Sequence, residues 1–179
     1  KDKMEILNDL KFKNKDFYLV VNEFEHKIND YDDDILSITE KKFKINTDNK
    51  KVISRAYYKL WEILKIFDLI PLNNSIITAH LAEAPGSFVQ AVIMYRDLYS
   101  KNKSQNDKYC AISLNEKNNS IKIQKKKLEC YSKKDSQRFF LHKTTKDDNG
   151  DITNLDNINN FKNEIESHGD KAYLVTADG

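Results

Sequence analysis

One stretch of the sequence, residues 76–88, restricts the possible folds more than any other. Residues 76–82 are β-branched, apolar or small and lie between an Asn-Asn pair and Pro85-Gly86, which predicts a strand buried in a parallel sheet. Ser87 then begins a run whose apolar residues recur at helical spacing. In open α/β sheets, ligands bind where a strand ends in a glycine turn and a helix begins. The stretch therefore predicts an α/β fold with a binding site at the carboxyl edge of its sheet.

The turn that follows this strand has an acidic character. Gly86 lets the backbone approach a ligand closely, and the carboxylate of Glu83 lies at the strand end, where it can meet a cation or a hydrogen-bond donor. A phosphate would be repelled there, and the chain has neither the G-x-G-x-x-G nor the G-K-[ST] pattern of nucleotide sites. The turn suits a ligand that carries an ammonium and a sulfonium. The alternative is a Pro-Gly turn that only ends a βα unit.

Four segments together resemble the FtsJ-like RNA 2′-O-methyltransferases, in order and spacing, over roughly residues 51–179. Residues 83–88 resemble the first AdoMet-binding motif of that family. Residues 54–60 resemble the helix that carries the first lysine of its Lys-Asp-Lys-Glu catalytic tetrad. Residues 149–154 resemble the Gly-Asp-Ile-Thr segment of the mRNA cap-specific branch, and residues 175–179 resemble its Ala-Asp-Gly-Gly strand end.

The resemblance implies particular site residues. Lys59 and Asp178 match the first lysine and the aspartate of the tetrad, and no metal ion is implied. Asp151 is implied to accept a hydrogen bond from the exocyclic amine of adenine; a calcium loop is the weaker interpretation, because the bidentate Glu of an EF-hand is absent. The other cofactor-binding residues that it implies form the turn: Glu83, Ala84, Pro85, Gly86, Ser87 and Phe88.

Two departures from the family pattern are visible. Ser87 stands where the family usually has a second glycine, which keeps the turn open but narrows it. The chain ends at Gly179, before the second lysine and the glutamate of the tetrad. The 179 residues alone are therefore expected to be inactive.

The implied fold is an α/β Rossmann-like sheet of an AdoMet-dependent methyltransferase, with its N-terminal half present and helices on both faces. Residues 1–50 form an N-terminal helical segment and linker in this interpretation, and residues 51–179 form the methyltransferase part. The implied activity is 2′-O-methylation of a ribose near the mRNA cap, of the cap 1 type. Two alternatives remain: a ribosomal RNA 2′-O-methyltransferase, and a non-catalytic module that binds AdoMet or RNA.

Lys59 falls in a predicted helix that begins with Ser54 as N-cap and ends near Phe67. The spacing predicts an apolar face, made of Ala56, Leu60, Ile63, Leu64 and Phe67. At 100° per residue Lys59 flanks that face, so its stem is expected to run along apolar surface. A snorkelling lysine explains this position as well as a catalytic one does.

Basic charge is concentrated in residues 117–146, where ten Lys and Arg residues face two Asp and Glu residues. A basic segment beside a methyltransferase site predicts contact with the phosphates of capped mRNA or another RNA. A solvated surface insertion is an equally good explanation, because runs of charge are usually solvated.

Three further strands are predicted, at residues 109–114, 138–142 and 171–178, and the last helix is expected to begin with a capping box at residues 153–156. His142 is expected to be a polar residue at a strand end rather than a catalyst, because no Ser or Cys nucleophile pattern accompanies it. Asn115 or Glu116 is a weaker candidate for contact with the ribose of the cofactor.

The remaining features concern the cellular setting. No apolar run approaches 18 residues, so no membrane is expected. Cys110 and Cys130 form no metal pattern and no disulfide framework, which suits a reducing compartment. Heavy use of Lys, Asn and Ile resembles cap-branch relatives encoded by large cytoplasmic DNA viruses, and predicts a location in the host cytoplasm or the virion.

Overall fold

The computed structural model describes residues 52–100, 102–115, 121–132 and 137–177. The predicted helical segment and linker at residues 1–50 and the predicted catalytic residue Asp178 lie outside the described residues.

Four parallel strands form the sheet, with β1 at Ile77–Leu81, β2 at Lys108–Ala111, β3 at Phe139–Leu141 and β4 at Leu174–Ala177. Their order is β3-β2-β1-β4, so the chain steps outward from β1 to β3 and then returns to the other side of β1. The strand order reverses beside β1, which is where α/β sheets place their ligands. The predicted α/β Rossmann-like sheet is confirmed.

Helices connect and flank these strands. Helix α1 spans Ala56–Phe67, α2 spans Ser87–Tyr99, α3 spans Lys125–Glu129 and α4 spans Leu155–His168. Phe161 and Ile165 of α4 pack on one face of the sheet, against Ala79, Cys110 and Ile112. Helix α2 contacts both β2 and α1.

The buried face of α1 differs from the predicted one. The buried residues are Tyr57, Leu60, Trp61 and Leu64, whereas Ile63 and Phe67 are 42% and 66% exposed. Trp61 stacks on Tyr57 and meets Tyr95 of α2 edge to face, so these aromatic rings join the predicted Leu60 and Leu64 at the interface and Ile63 and Phe67 stay outside it.

Because the buried face of α1 differs from the predicted one, the position of Lys59 relative to that face also differs. At 100° per residue it lies about 150° around the helix from the middle of the buried face, and it is exposed. Lys59 therefore does not flank the buried face of α1, and the contact of its stem with apolar surface stays a prediction.

The predicted starts of α1 and α4 are each off by one or two residues, whereas α2 begins at Ser87 as predicted. Helix α1 begins at Ala56 rather than Ser54, although the Ser54 hydroxyl accepts from the Ala56 amide at 3.3 Å. Helix α4 has Asn154 as its N-cap, with its side chain accepting from the Asp156 amide. The capping box predicted at Thr153 is wrong, because Thr153 donates to Asp151.

An ion-pair network stabilises the amino edge of the sheet. Arg96 and Asp107 are fully buried, and the Arg96 Nε donates to Asp107 at 2.7 Å. Asp107 also accepts from the Ile76 amide and the Tyr109 hydroxyl, at 2.9 and 2.8 Å. Such a pair is tolerated inside a protein only when its remaining donors and acceptors are satisfied.

Candidate cofactor site at the carboxyl edge of the sheet

The turn between β1 and α2 has an unusual backbone. Ala82 has a φ of 51° and Gly86 a φ of 110°, both in the left-handed region. The amide of Glu83 donates to the Ile112 carbonyl at 3.2 Å, so the turn remains attached to the end of β2. Left-handed backbone in a residue with a side chain costs energy and is concentrated at functional sites.

Glu83 has a structural contact within this turn. Its side chain is 3% exposed, and Oε1 accepts from the Val89 amide in the first turn of α2 at 2.9 Å. A carboxylate at a helix N-terminus satisfies an orphan N–H group and offsets the helix dipole. The role of Glu83 as a cofactor contact stays a prediction.

Gly86 is closely approached by protein on its side-chain side. A Cβ atom added there would lie 2.8 Å from Cδ1 of Leu128 and 3.6 Å from Cδ1 of Ile53. Leu128 belongs to α3 and is fully buried. Absence of a side chain at Gly86 therefore allows α3 to pack on the turn, a requirement that the sequence analysis did not identify.

The other turn residues connect the site to neighbouring elements. The Ala84–Pro85 peptide is cis, and the Pro85 carbonyl accepts from the Gln124 amide at 3.0 Å. Ser87 and Phe88 are both buried, and the Ser87 hydroxyl lies 2.6 Å from that of Ser54.

Gln90 of α2 holds two distant segments against the turn. Its Oε1 accepts from the Ile53 amide at 2.8 Å, just before α1, and its Nε2 donates to the Tyr131 hydroxyl at 3.1 Å, just after α3. The side chain is fully buried. The start of the Lys59 helix and the end of the basic helix therefore meet α2 through one amide group.

A second turn, at residues 149–151, reaches the same edge of the sheet. A Cβ atom added at Gly150 would lie 2.2 Å from the Ser113 carbonyl oxygen, and the Asn115 amide donates to the Asn149 carbonyl at 2.9 Å. Because residues 112–115 contact both turns, the structure brings Asp151 to the edge that carries the Glu83–Phe88 turn.

The Asp151 carboxylate is held in a defined orientation. Oδ1 accepts from the Thr153 amide at 2.9 Å and from the Thr153 hydroxyl at 2.7 Å. These hydrogen bonds lower the pKa of Asp151 below its ordinary value, so the group is ionised at neutral pH. Within the described part of the chain nothing hydrogen-bonds Oδ2, which remains able to accept from a ligand.

The predicted catalytic pair is only partly described. Lys59 is exposed and lies about 6 Å along the axis of α1 from Arg55, on the side of the helix away from the face that packs on α2. Asp178 follows β4, whose described end, Ala177, pairs with Leu81 of β1. The geometry between Lys59 and Asp178 stays a prediction.

Two buried histidines have roles that sequence reasoning did not find. His80 of β1 lies within 2.8 Å of the Thr78 hydroxyl and 2.7 Å of the Thr176 hydroxyl, and burial lowers its pKa to about 3, so the ring is neutral. His142 follows β3, as predicted, and lies between the carboxylates of Asp148 and Glu164. A histidine followed six residues later by Asp in a short loop is the available sequence signal, and it is weak.

The chemistry of the edge fits a cationic cofactor better than a phosphorylated one. The two turns, residues 82–88 and 149–153, contain no Lys or Arg, and Asp151 supplies a fixed, ionised acceptor. This acceptor set fits the chemistry of AdoMet, which has an exocyclic amine as a hydrogen-bond donor and carries ammonium and sulfonium charges.

The described residues contain neither a helix that could cross a membrane nor a cluster that could hold a metal ion. None of the helices described is both long and apolar enough to cross a membrane. In the same described ranges, no group of three or more His, Cys, Asp or Glu residues is arranged to hold a metal ion.

Comparison with known proteins identifies relatives of the described region. The model of a family described as FtsJ-like methyltransferase matches residues 52–179. An uncharacterized protein of Acanthamoeba polyphaga mimivirus is 38% identical over 81 residues, which cover 37% of this chain and 10% of the viral protein. The chain thus spans about a tenth of the length of that relative. No solved structure matches.

Proposed function

The chain belongs to the FtsJ-like methyltransferase family, and from that premise we propose that it binds AdoMet and takes part in methylating a ribose 2′-hydroxyl of RNA, most specifically near the 5′ cap of mRNA. The observation that carries this proposal is the meeting of the Glu83–Phe88 turn and the Asp151 turn on residues 112–115. The family match supports methyl transfer; the cofactor, the hydroxyl and the cap are the proposed refinements.

The residues of the edge have separate roles in this proposal. Asp151 would accept a hydrogen bond from the adenine amine, and the Glu83–Phe88 turn would hold the charged end of the cofactor, which would supply an electrophilic methyl group. Lys59 stabilises the alkoxide that develops on the ribose, and Asp178 orients Lys59. Methyl transfer is an in-line displacement, so these residues act mainly by positioning and by assisting proton removal.

Helix α3 supports RNA as the substrate. Leu128 packs over Gly86 and the Gln124 amide bonds Pro85, so the basic residues 125–127 lie next to the cofactor turn. Lys125 forms only an exposed pair with Glu129, at 3.5 Å, and exposed pairs contribute little to stability. We propose that this helix contacts the RNA backbone, since a solvated insertion would not require a buried leucine on the turn.

The choice of the cap over ribosomal RNA rests on the Asn149–Asn154 segment, which resembles the cap-specific branch. The similarity to a mimivirus protein fits an enzyme of a large DNA virus acting in the host cytoplasm. Methyl transfer to matched capped and uncapped RNAs tests this choice. Equal transfer to both would favour the ribosomal-type alternative.

Asp151→Asn tests the cofactor site directly. The asparagine Oδ1 keeps the bonds from Thr153, but an amide replaces Oδ2 and presents donors to the adenine amine. We expect AdoMet affinity to fall about 10- to 150-fold, the scale of a hydrogen bond to a charged group of about 1.5–3 kcal/mol. Calorimetry measures the change.

Asp147→Asn is the matched control, because Asp147 is exposed in the same loop. Unchanged affinity in Asp147→Asn together with a large loss in Asp151→Asn supports the assignment. Equal affinities in the two folded variants would remove Asp151 from the site.

A further inference from the structure

His142 occupies a bridging position beside the proposed cofactor edge. Its Nδ1 lies 2.7 Å from Oε2 of Glu164 on α4, and its Nε2 lies 2.9 Å from Oδ2 of Asp148 in the loop after β3. The ring is 8% exposed, and its own amide donates to the Ala111 carbonyl of β2 at 2.8 Å. The ring of His142 therefore connects a helix with a loop, and its backbone amide attaches the same residue to β2.

A neutral imidazole cannot satisfy this arrangement. It has one N–H donor and one acceptor nitrogen, while two ionised carboxylates offer acceptors only. The imidazolium donates to both. The bond to Glu164 is the main cause that raises the pKa of His142, with Asp148 adding to it against the effect of burial. Burial alone would raise the pKa of Asp148, but the donors Asn160, His142 and Gly150 outweigh it and lower that pKa.

The other groups around the ring do not supply a competing charge. Asn160 and Phe161 of α4 are uncharged; the first donates to Asp148 and the second meets the imidazole edge to face. On β2, burial raises the pKa of the Cys110 thiol to about 12, so it is neutral. Two further titratable groups, Lys108 and His168, pack on the ring of Phe140, and Lys143, which follows His142 in the chain, is exposed.

Asp148 connects the His142 ring to the turn that contains Asp151. The Gly150 amide donates to Asp148 Oδ1 at 3.1 Å. The Asp148 carbonyl and amide also pair with Thr145, at 2.6 and 3.0 Å. Asp148 is 5% exposed, so the loop folds around its carboxylate. Displacement of that carboxylate moves Gly150, and with it the neighbouring Asp151.

We propose that His142 is a positioning residue whose protonated ring holds the Asp148–Asp151 loop in the geometry that binds cofactor, so that cofactor affinity is lost when the ring loses its proton. The proposal rests on the proposed function, because it describes regulation of the same site. The proposal predicts tighter cofactor binding at mildly acidic than at alkaline pH.

The direction of the pH dependence follows from the raised pKa. A group whose pKa is higher in the folded than in the unfolded protein stabilises the fold fully below the unfolded value, here 6.5, and less as pH rises through the folded value. Deprotonation leaves the buried carboxylate of Asp148 and the partly exposed carboxylate of Glu164 facing one N–H group, so one of the two bridges is lost. The loop or α4 then moves away.

Glu164→Gln distinguishes a role of the His142 proton from a role of the His142 ring in packing alone. A glutamine amide can donate to Nδ1 while Nε2–H still donates to Asp148, so a neutral ring satisfies both contacts. We expect calorimetry to show AdoMet affinity falling about tenfold between pH 6.5 and 9 in the unmodified chain, the scale of a charge-assisted hydrogen bond. In Glu164→Gln we expect AdoMet affinity to change less than about twofold over the same pH range. A Glu164→Gln variant that binds weakly at every pH would overturn the proposal.

Two other histidine variants complete the test. His142→Gln should bind AdoMet weakly and without this pH dependence. His168→Gln removes the other imidazole of this region and should keep the full dependence. If His168→Gln loses the pH dependence of AdoMet affinity, that dependence comes from the imidazole of His168, and the proposed role of His142 is refuted.

A readout without cofactor distinguishes this proposal from the proposed function. Nitrogen-15 NMR of the imidazole should show both His142 ring nitrogens protonated at pH 6.5, and hydrogen exchange of the Gly150 amide, corrected for its intrinsic pH dependence, should accelerate as that proton is lost. If both occur and AdoMet does not bind at any pH, the proposed function fails and the loop mechanism stands. If the ring is neutral at pH 6.5, the mechanism fails whatever binds.

Discussion

Gly150→Ala should damage the proposed cofactor edge more than an added methyl group at Gly86 or Gly169, the two other described glycines. The new Cβ would lie 2.2 Å from the Ser113 carbonyl oxygen and 2.9 Å from its carbon, both backbone atoms that no side-chain rotation can move. The φ of 77° adds about 1–2 kcal/mol for a residue with a side chain. Displacing the turn also loses the bonds from the Asn115 amide to Asn149 and from the Gly150 amide to Asp148, each worth about 1 kcal/mol.

The free energy of unfolding should therefore fall by about 3–4 kcal/mol, which lowers the Tm by roughly 6–16 °C in a chain of this size. Thermal unfolding measures the first effect, and calorimetry should show AdoMet affinity reduced at least about tenfold, because Asp151 moves with the turn.

Gly169→Ala is the matched control. Its Cβ would lie 2.5 Å from Cδ1 of Ile77, the movable end of a side chain, and it lies at the opposite edge of the sheet from Asp151. We expect a loss of about 1 kcal/mol or less and unchanged affinity. A folded Gly150→Ala variant with unaltered Tm and unaltered affinity would refute the packing of the two turns on one edge.

Three other changes test separate parts of the site. Gly86→Ala should destabilise the fold and weaken AdoMet binding. Adding Leu128→Ala should relieve the contact with the new Cβ atom but not the backbone strain of the φ of 110°. Full recovery of stability in the double variant, measured by urea unfolding in a double-mutant cycle, would contradict this account. Replacing the basic residues 125–127 with Gln should lower the slope of log binding constant against log salt concentration, for RNA, by roughly one unit per lost phosphate contact. An unchanged slope would mean that α3 does not contact the RNA backbone. Ala82→Gly should raise stability to urea by up to about 1 kcal/mol, since glycine adopts a φ of 51° without strain, and a loss of stability would contradict that.

The β1–turn–α2 unit was predictable because its signals are local. Pro85-Gly86 ends the strand and begins the turn whatever surrounds it, and α2 runs from Ser87 to Tyr99 as the spacing predicts. The sheet and its four parallel strands followed from the same kind of pattern. Asp151 reached the expected edge because carboxyl ends of parallel strands meet at one edge.

Features that depend on contacts distant in sequence were not predictable. The face of α1 was misplaced because the periodicity of apolar residues does not say that Trp61 will meet Tyr95 of another helix. Leu128 looks like a stray apolar residue in a basic run, and only the fold places it on Gly86.

The partners of buried charged residues were also not predictable from the sequence. Arg96 and Asp107 are 11 residues apart, and His142 and Glu164 are 22 apart. Such pairs form because burial forces each charge to find a partner, and which partner is near is decided by topology. The scarcity of arginine, with only three among 30 basic residues, was an unused hint that Arg96 is structural.

Transfer of labelled methyl groups by the full-length protein tests the central claim most directly. The substrates are capped RNA and the same RNA already 2′-O-methylated at its first nucleotide, and the variants are Lys59→Ala and Lys65→Ala. Lys65 is the matched control, because it lies on the same helix with its Nζ 4.3 Å from the Tyr99 ring centre. The account predicts transfer only to the unmethylated RNA, a loss of about 10² or more in Lys59→Ala with AdoMet affinity intact, and near-normal transfer in Lys65→Ala. Near-normal transfer by Lys59→Ala, or equal transfer to both RNAs, would contradict it.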